Sequence, residues 1–465
     1  MKFESLITEF DDSLSGDSYI DPLGQQVIWS SFGQRVFRNR VNSISNDVRN
    51  FTINLLHHGV IRSIQEDESV VVSPALIEAV GDKDSLPFIH ACLIYLENVF
   101  TYSMVDKPEE AGIDTLGILG GSNGRTQMQE TDQNPSLIFT DKKEGHLLVR
   151  QLGLGVSGRY KTPFVEMGFF DSNYRYFHQE SEERWSAFKS LLENHSQLRE
   201  CFRQAKEHVI DLVHSSQLKN QVPPGRQFRD VPTALREAYQ KAFATPGKVG
   251  AETKAFWLDV TGLNKGAAGA LLKVLEEFHS SPSEKKPLPE KCFGQAAKLC
   301  EEEPDERRKI EHIQIVEPLL AECDLLFRLA RHKKVLSVSE VRAHWIGLGR
   351  TDQTLSDAAA RIQDNVDLLQ VLKGTAHRRL QKLLDVAVNE RVEEQLQALL
   401  HYHSQVMKSR GQLRWVEAKS GDEIRVYGRT EPLPNAEKRP LGSWVNSYYI
   451  HQFYNLVAGY QGGIR

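Results

Sequence analysis

Leu152-Gly153-Leu154-Gly155-Val156-Ser157-Gly158 carries three glycines at the G-x-G-x-x-G spacing of a dinucleotide-binding loop, and its reading separates an α/β nucleotide fold from a helical one. In a βαβ unit such glycines follow a strand and open a long helix whose first amides hold pyrophosphate. Here the chain continues Arg159-Tyr160-Lys161-Thr162-Pro163. Proline lacks an amide donor and crowds the preceding turn, so only a short or kinked helix opens at Ser157. The segment reads as a tight turn that presents basic and aromatic side chains.

A second glycine-rich stretch, Gly117 to Thr126, ends like a phosphate-binding P-loop but lacks two of its parts. Leu119 stands at the first glycine position and Arg125 replaces the lysine. The wide guanidinium fork does not substitute for a compact ammonium on transferring phosphates. A helix end and turn is the simpler reading.

Outward from these loops the pattern is helical. Asp21-Pro22 is a start signal for Ile28, Phe32 and Val36 at helical spacing, and a second helix begins near Ser45 or Asn46. Ser85-Leu86-Pro87 opens an apolar helix, and the acids after Pro108 open another. Two amphipathic helices follow, near Glu182 to Leu192 and Ser196 to His214. Gln221 to Arg229, with two prolines and a glycine, reads as a linker. Leu355 to Leu372 and Leu380 to Met407 are long apolar stripes that predict a helical hairpin. Its second arm, from Thr375 to Arg410, would run on the order of 54 Å at 1.5 Å per residue. Two alternating pentads around Lys419-Ser420-Gly421-Asp422 predict a β-hairpin.

These signals give a mainly α, multidomain protein with a long C-terminal helical hairpin and a small β-hairpin. Three domains are expected: 1–220, helical with the glycine-rich loops; 221–345, helical; and 346–465, with both hairpins and an aromatic tail. At 465 residues the chain buries a core without disulfides or metal. A formal net charge of −5, with 40% hydrophobic residues, implies no global electrostatic partner and a soluble globular protein. Five cysteines without a C-x-x-C pair point to a reducing cytoplasm. The acidic Met1–Asp12 stretch does not read as a signal peptide, and no apolar run of membrane length is expected.

Arg150, Arg159, Tyr160, Lys161 and Arg175 place cations beside stacking rings, as a DNA or RNA contact requires, and Arg378, Arg379 and Lys382 form a second basic face on the hairpin. Trp444, Tyr448, Tyr449 and Phe453 concentrate aromatic surface in the tail and are expected to bind a protein partner. No residue is assigned to catalysis, metal or a cofactor: His57-His58 and His401-x-His403 do not share a ligand-forming helix face, and no H-E-x-x-H occurs. Dispersed carboxylates such as Asp11-Asp12, Asp259 and Asp324 leave a nuclease or nucleotide-dependent enzyme as the rival, with an autonomous DNA-binding protein as a third reading.

Asp21 to Gly24 and Leu154 to Pro163 resemble stretches in helical accessory proteins of prokaryotic anti-phage gene clusters. The resemblance covers a small part of the chain and transfers no functional residue. It implies a non-catalytic subunit working beside an ATPase, nuclease or DNA-modifying partner. Taken with the composition and the helical pattern, the expectation is a cytoplasmic scaffold or adaptor, without a membrane, whose partner is an ATPase, helicase or nuclease.

Overall fold

Side-chain caps set the start of several helices. Asp47, Ser73, Ser85 and Thr245 each accept a first-turn amide with their side-chain oxygen, opening the helices Val48–Glu66, Pro74–Val80, Leu86–Val105 and Pro246–Thr261. The computed structural model describes residues 21–219, 223–282, 285–419 and 421–462, without the side chains of 215–219. The Met1–Asp12 stretch and its Asp11-Asp12 pair lie outside the described residues. Among those described, the chain forms twenty α-helices and five strands of three or four residues, so it is mainly α as the periodicity implies. The chain divides into two units, each built from three stretches of sequence.

The first unit comprises residues 1–37, 266–274 and 284–450. Its centre is the 26-residue helix Pro304–Leu329, which buries Ile313, Val316, Leu320 and Leu326. Against it pack Gln26–Phe37, Pro289–Leu299, Val338–Gly347, Thr354–Gln363 and Val392–Ser409. The C-terminal stripes are not two long arms. Leu355 to Leu372 divides into Thr354–Gln363 and Val366–Val371, because Asn365 caps the second piece by accepting the Leu368 amide. Thr375 to Arg410 divides into Gly374–Ala387 and Val392–Ser409, where the Asn389 amide donates to the Val386 carbonyl and Asp352 accepts the Val392 amide. Polar side chains capture backbone groups at both breaks, which propensity along a stripe does not reveal.

Strands β4 (Val416–Ala418) and β5 (Glu423–Val426) form the expected β-hairpin. A third strand, which periodicity did not suggest, is β3 (Val335–Ser337); it pairs antiparallel with β5, Leu336 opposite Ile424. Packing on the helix Val392–Ser409 and this third strand supply what a lone hairpin lacks.

The second unit comprises, among the described residues, those within 38–265, 275–282 and 451–462. Val48–Glu66 and Leu86–Val105 are its innermost helices and are buried nearly all round. The latter, at 20 residues and mean hydropathy 1.2, is long and apolar enough to cross a membrane by length and composition alone, contrary to the expectation that no such run exists. In the structure 94% of its apolar window is buried inside the protein, the position of a core helix. Around this pair lie Ser196–Lys219, Thr233–Phe243, Pro246–Thr261, Val156–Glu166 and Gly121–Glu130.

Two sequence boundaries take a different form here. Gly225–Gln227, within the stretch read as a linker, is strand β2 and pairs antiparallel with β1 (Ser136–Ile138). Phe228 then donates its amide to the Pro135 carbonyl, and Arg229 pairs with Asp106, so residues 223–229 belong to the second unit. The acids after Pro108 form only an unpropagated turn, closed by Ile113 donating to the Pro108 carbonyl.

Candidate functional site

The G-x-G-x-x-G loop does open a helix, Val156–Glu166, which accommodates Pro163 in its interior. Its N-terminus faces the core helix Leu86–Val105, which delivers Glu97. One carboxylate oxygen accepts the Ser157 amide at 2.6 Å, and the other accepts the Gln151 side-chain amide at 3.3 Å. Gln151 also donates to Asn98 at 2.8 Å and accepts the Leu147 amide at 2.7 Å, while Asn98 donates to the Gly145 carbonyl at 2.7 Å. Burial pushes the Glu97 carboxyl above its ordinary range, opposed by the hydrogen bonds it accepts.

A protein carboxylate therefore stands where a nucleotide-binding loop would place pyrophosphate, on the positive end of a helix. The glycines have packing reasons: a Cβ on Gly155 would lie 2.3 Å from Glu97, and one on Gly158 would lie 2.2 Å from the Leu152 carbonyl oxygen. The adjoining cavity, bordered by His57, Glu97, Gln151 and Gly120, is about 10 Å³, room for a single water. It holds no dinucleotide.

The second glycine-rich stretch is a turn leading into the helix Gly121–Glu130. At its start, Arg49 donates to the Leu116 carbonyl just before the stretch at 2.6 Å and Asn50 to the Gly117 carbonyl at 3.1 Å, which anchors the turn to the helix Val48–Glu66. Arg49 is itself fully buried against Asp47. Arg125, at the lysine position of the P-loop pattern, donates to the Thr115 hydroxyl at 3.3 Å.

The residues expected to contact nucleic acid separate into two groups. Arg150 and Arg175 are exposed in the second unit, the latter 3.9 Å from Asp171. Arg378 and Lys382 are exposed in the first, Lys382 lying 3.3 Å from Asp385. The other four face inward or partly so. Tyr160 is fully buried, its ring edge-on to Phe51 and its hydroxyl donating to the Ile44 carbonyl, which corrects its assignment as a stacking surface. Arg159 is half-buried and returns its Nε to the Leu154 carbonyl at 2.8 Å. Half-buried Lys161 places its ammonium 4.2 Å from the centre of the Tyr174 ring, and burial lowers the pKa of both Arg159 and Lys161. Arg379 donates to the Gly24 carbonyl at 3.1 Å.

Four further arginines of the C-terminal half are tied to carboxylates: Arg331 to Glu431, Arg342 to Asp352 and Glu393, Arg410 to Asp21 and Arg414 to Glu417. Such pairing interrupts a phosphate track.

The aromatic tail is internal, and its assignment as a partner surface is corrected. In the first unit Trp444 stacks on Phe293 with ring centres 5.6 Å apart, and Tyr449 tilts against Trp29 at 5.2 Å. Tyr448 is fully buried and donates its hydroxyl to Glu317 at 2.7 Å. Glu317 also accepts the amides of Val445 and Asn446 and the Asn446 side chain. Phe453, in the second unit, is also fully buried. The rings complete cores, which is why so many fall in one segment.

Chemically versatile side chains are largely enclosed. His57 pairs with the Tyr239 hydroxyl, His58 with Tyr176 and His208 with Tyr95, all buried. Burial lowers the histidine pKa values, that of His57 to about 3 and that of His208 to about 4. The five cysteines are free and buried, and burial raises their thiol pKa values. Metal-ligand chemistry converges at one place among the described residues that the sequence reading missed, where His332, Glu340 and His344 bring ligand atoms within 4.8 Å of one another. Only the i, i+4 spacing of Glu340 and His344 signalled it, and the third member arrives from outside their helix. No protein-family model, no curated protein and no solved structure matches this chain.

Proposed function

We propose that this chain is a non-catalytic scaffold or adaptor subunit of a multiprotein assembly in the cytoplasm. The observation that carries the reading is that the first glycine-rich loop, where the sequence came nearest to dinucleotide chemistry, is filled by the protein's own Glu97, while the second has Arg125 in place of the P-loop lysine. With the first glycine loop filled and the aromatic tail internal, partner contact falls to other surface. Val71, Ile77 and Leu86 supply it, 65%, 42% and 43% exposed within one short stretch of chain. Exposed apolar side chains of this size are the ones a partner would cover.

The partner class follows the resemblance at Asp21 to Gly24 and Leu154 to Pro163: an ATPase, helicase or nuclease in prokaryotic antiviral defence. Contact with DNA or RNA in that assembly would fall to the exposed Arg150, Arg175, Arg378 and Lys382, and would weaken steeply with salt. The test is co-purification of the tagged chain from its native cells, in parallel with a variant carrying Val71→Asp, Ile77→Asp and Leu86→Asp. A stoichiometric companion subunit is expected with the parent chain and lost from the equally folded variant. A chain that purifies without a companion, or a variant that keeps it, overturns the proposal.

A further inference from the structure

His332, Glu340 and His344 lie in the first unit, where the central helix Pro304–Leu329 leads into β3 and β3 into the helix Val338–Gly347. The local structure is firmly built. Ser337 caps the second helix by accepting the Glu340 amide at 3.0 Å, and Ser339 donates its hydroxyl to Asp422 at 2.8 Å. Glu340 and His344 are one turn apart on that helix and share a face. His332 approaches from before β3, its ring perpendicular to that of His344 with centres 4.9 Å apart.

Hydrogen bonding orients His332 as a ligand. Its Nδ1 lies 2.9 Å from the Leu329 carbonyl oxygen, which only accepts, so Nδ1 carries the proton. In the neutral ring Nε2 then bears a lone pair, and it faces Glu340 Oε1 at 3.5 Å. Two lone pairs at that separation repel unless a proton or a metal cation lies between them. The carbonyl–histidine arrangement is the one that fixes ring tautomer and orientation in metal sites.

The spacing also fits. Ligand atoms about 2.0–2.1 Å from a tetrahedral zinc ion lie about 3.3–3.4 Å from each other. The His332–Glu340 pair already stands at 3.5 Å, and closing the third ligand from within 4.8 Å takes a rotation of the His344 side chain. The competing cation is the Lys333 ammonium, 2.5 Å from the same Glu340 oxygen and half-exposed.

We propose that His332, Glu340 and His344 bind one divalent transition cation of the zinc class, with water completing the coordination. Two imidazoles and one carboxylate select zinc, cobalt or nickel over calcium and magnesium, which demand more oxygen ligands. Binding clips the start of β3 to the following helix and does not depend on the adaptor reading.

The test is titration of the full chain with Co²⁺, read as visible absorption, and with Zn²⁺, read as competition and as a thermal shift. One equivalent is expected, giving the visible bands of tetrahedral cobalt without a thiolate charge-transfer band, since the five thiols are buried. His344→Ala should weaken binding on the order of 100-fold, and Lys333→Ala, which removes the competing cation, should tighten it on the order of tenfold. Lys333 is exposed, so its variant tests the site even if His332→Ala, which strips the Leu329 carbonyl of its partner, fails to fold. Absence of one-to-one binding by the parent chain overturns the proposal, as does binding unaffected by both His344→Ala and Lys333→Ala.

Discussion

Glu97 acts as a ligand for its own chain, a carboxylate held on the amide of Ser157 at the start of a helix and braced by Gln151. A buried donor whose acceptor is deleted costs about 1–3 kcal/mol, because it has no water to turn to. Glu97→Ala should therefore destabilise the protein by about that amount, measured by chemical denaturation. Glu97→Gln, which keeps an acceptor oxygen, should cost less. Equal stability of Glu97→Ala and the parent would show that the contact contributes nothing. The glycine spacing was legible in the sequence, but its reason was not: the atoms that crowd Gly155 include Glu97, which lies in another helix.

At the scale of elements, the segment after Ser443 is held by Glu317, which gathers two backbone amides, one side-chain amide and the Tyr448 hydroxyl. Tyr448→Phe removes a hydrogen bond to a buried carboxylate and should lower unfolding free energy by about 1–3 kcal/mol, read from denaturant midpoints. An unchanged midpoint would remove Glu317 as the anchor. Deleting residues 443–465 removes the buried Tyr448, Ile450, Phe453, Leu456 and Val457. Such a deletion tests folding rather than partner binding. Concentration of rings in the tail was visible from sequence; whether they faced a partner or the protein's own interior depended on Phe293, Trp29 and Glu317, all distant along the chain.

Across the whole molecule, buried neutral histidines couple stability to pH. Burial lowers His57 to about 3 and His208, His312 and His403 each to about 4, below the roughly 6.5 of an unfolded histidine. The unfolded chain then binds protons more readily, so this stabilisation is fully present above about pH 6.5 and is lost as pH falls toward 4. His403 shows why: Nδ1 lies against the Pro22 carbonyl and Nε2 accepts the Trp415 amide, a pattern that needs the neutral ring. Glu97 and Glu317, raised by burial, act with the opposite sign, their contribution declining as pH rises through their folded values. The four histidines outnumber them, at about 1–2 kcal/mol each by pH 5. The melting temperature should drop by several degrees between pH 7.5 and 5, and a flat profile would contradict neutral burial.

By itself the sequence determined the helical class, the capped start at Ser85, the β-hairpin near residue 420 and the weakness of both nucleotide motifs. Each rests on neighbours within a turn or two, where spacing and capping act. Tertiary structure decided the rest: the division of the C-terminal stripes, the strand within residues 223–229, the inward turn of Tyr160 and the aromatic tail, and the meeting of His332 with Glu340 and His344. Those outcomes depend on groups brought together by folding, such as Asp352 at the Val392 amide and Pro135 beside Phe228, and no local period records them.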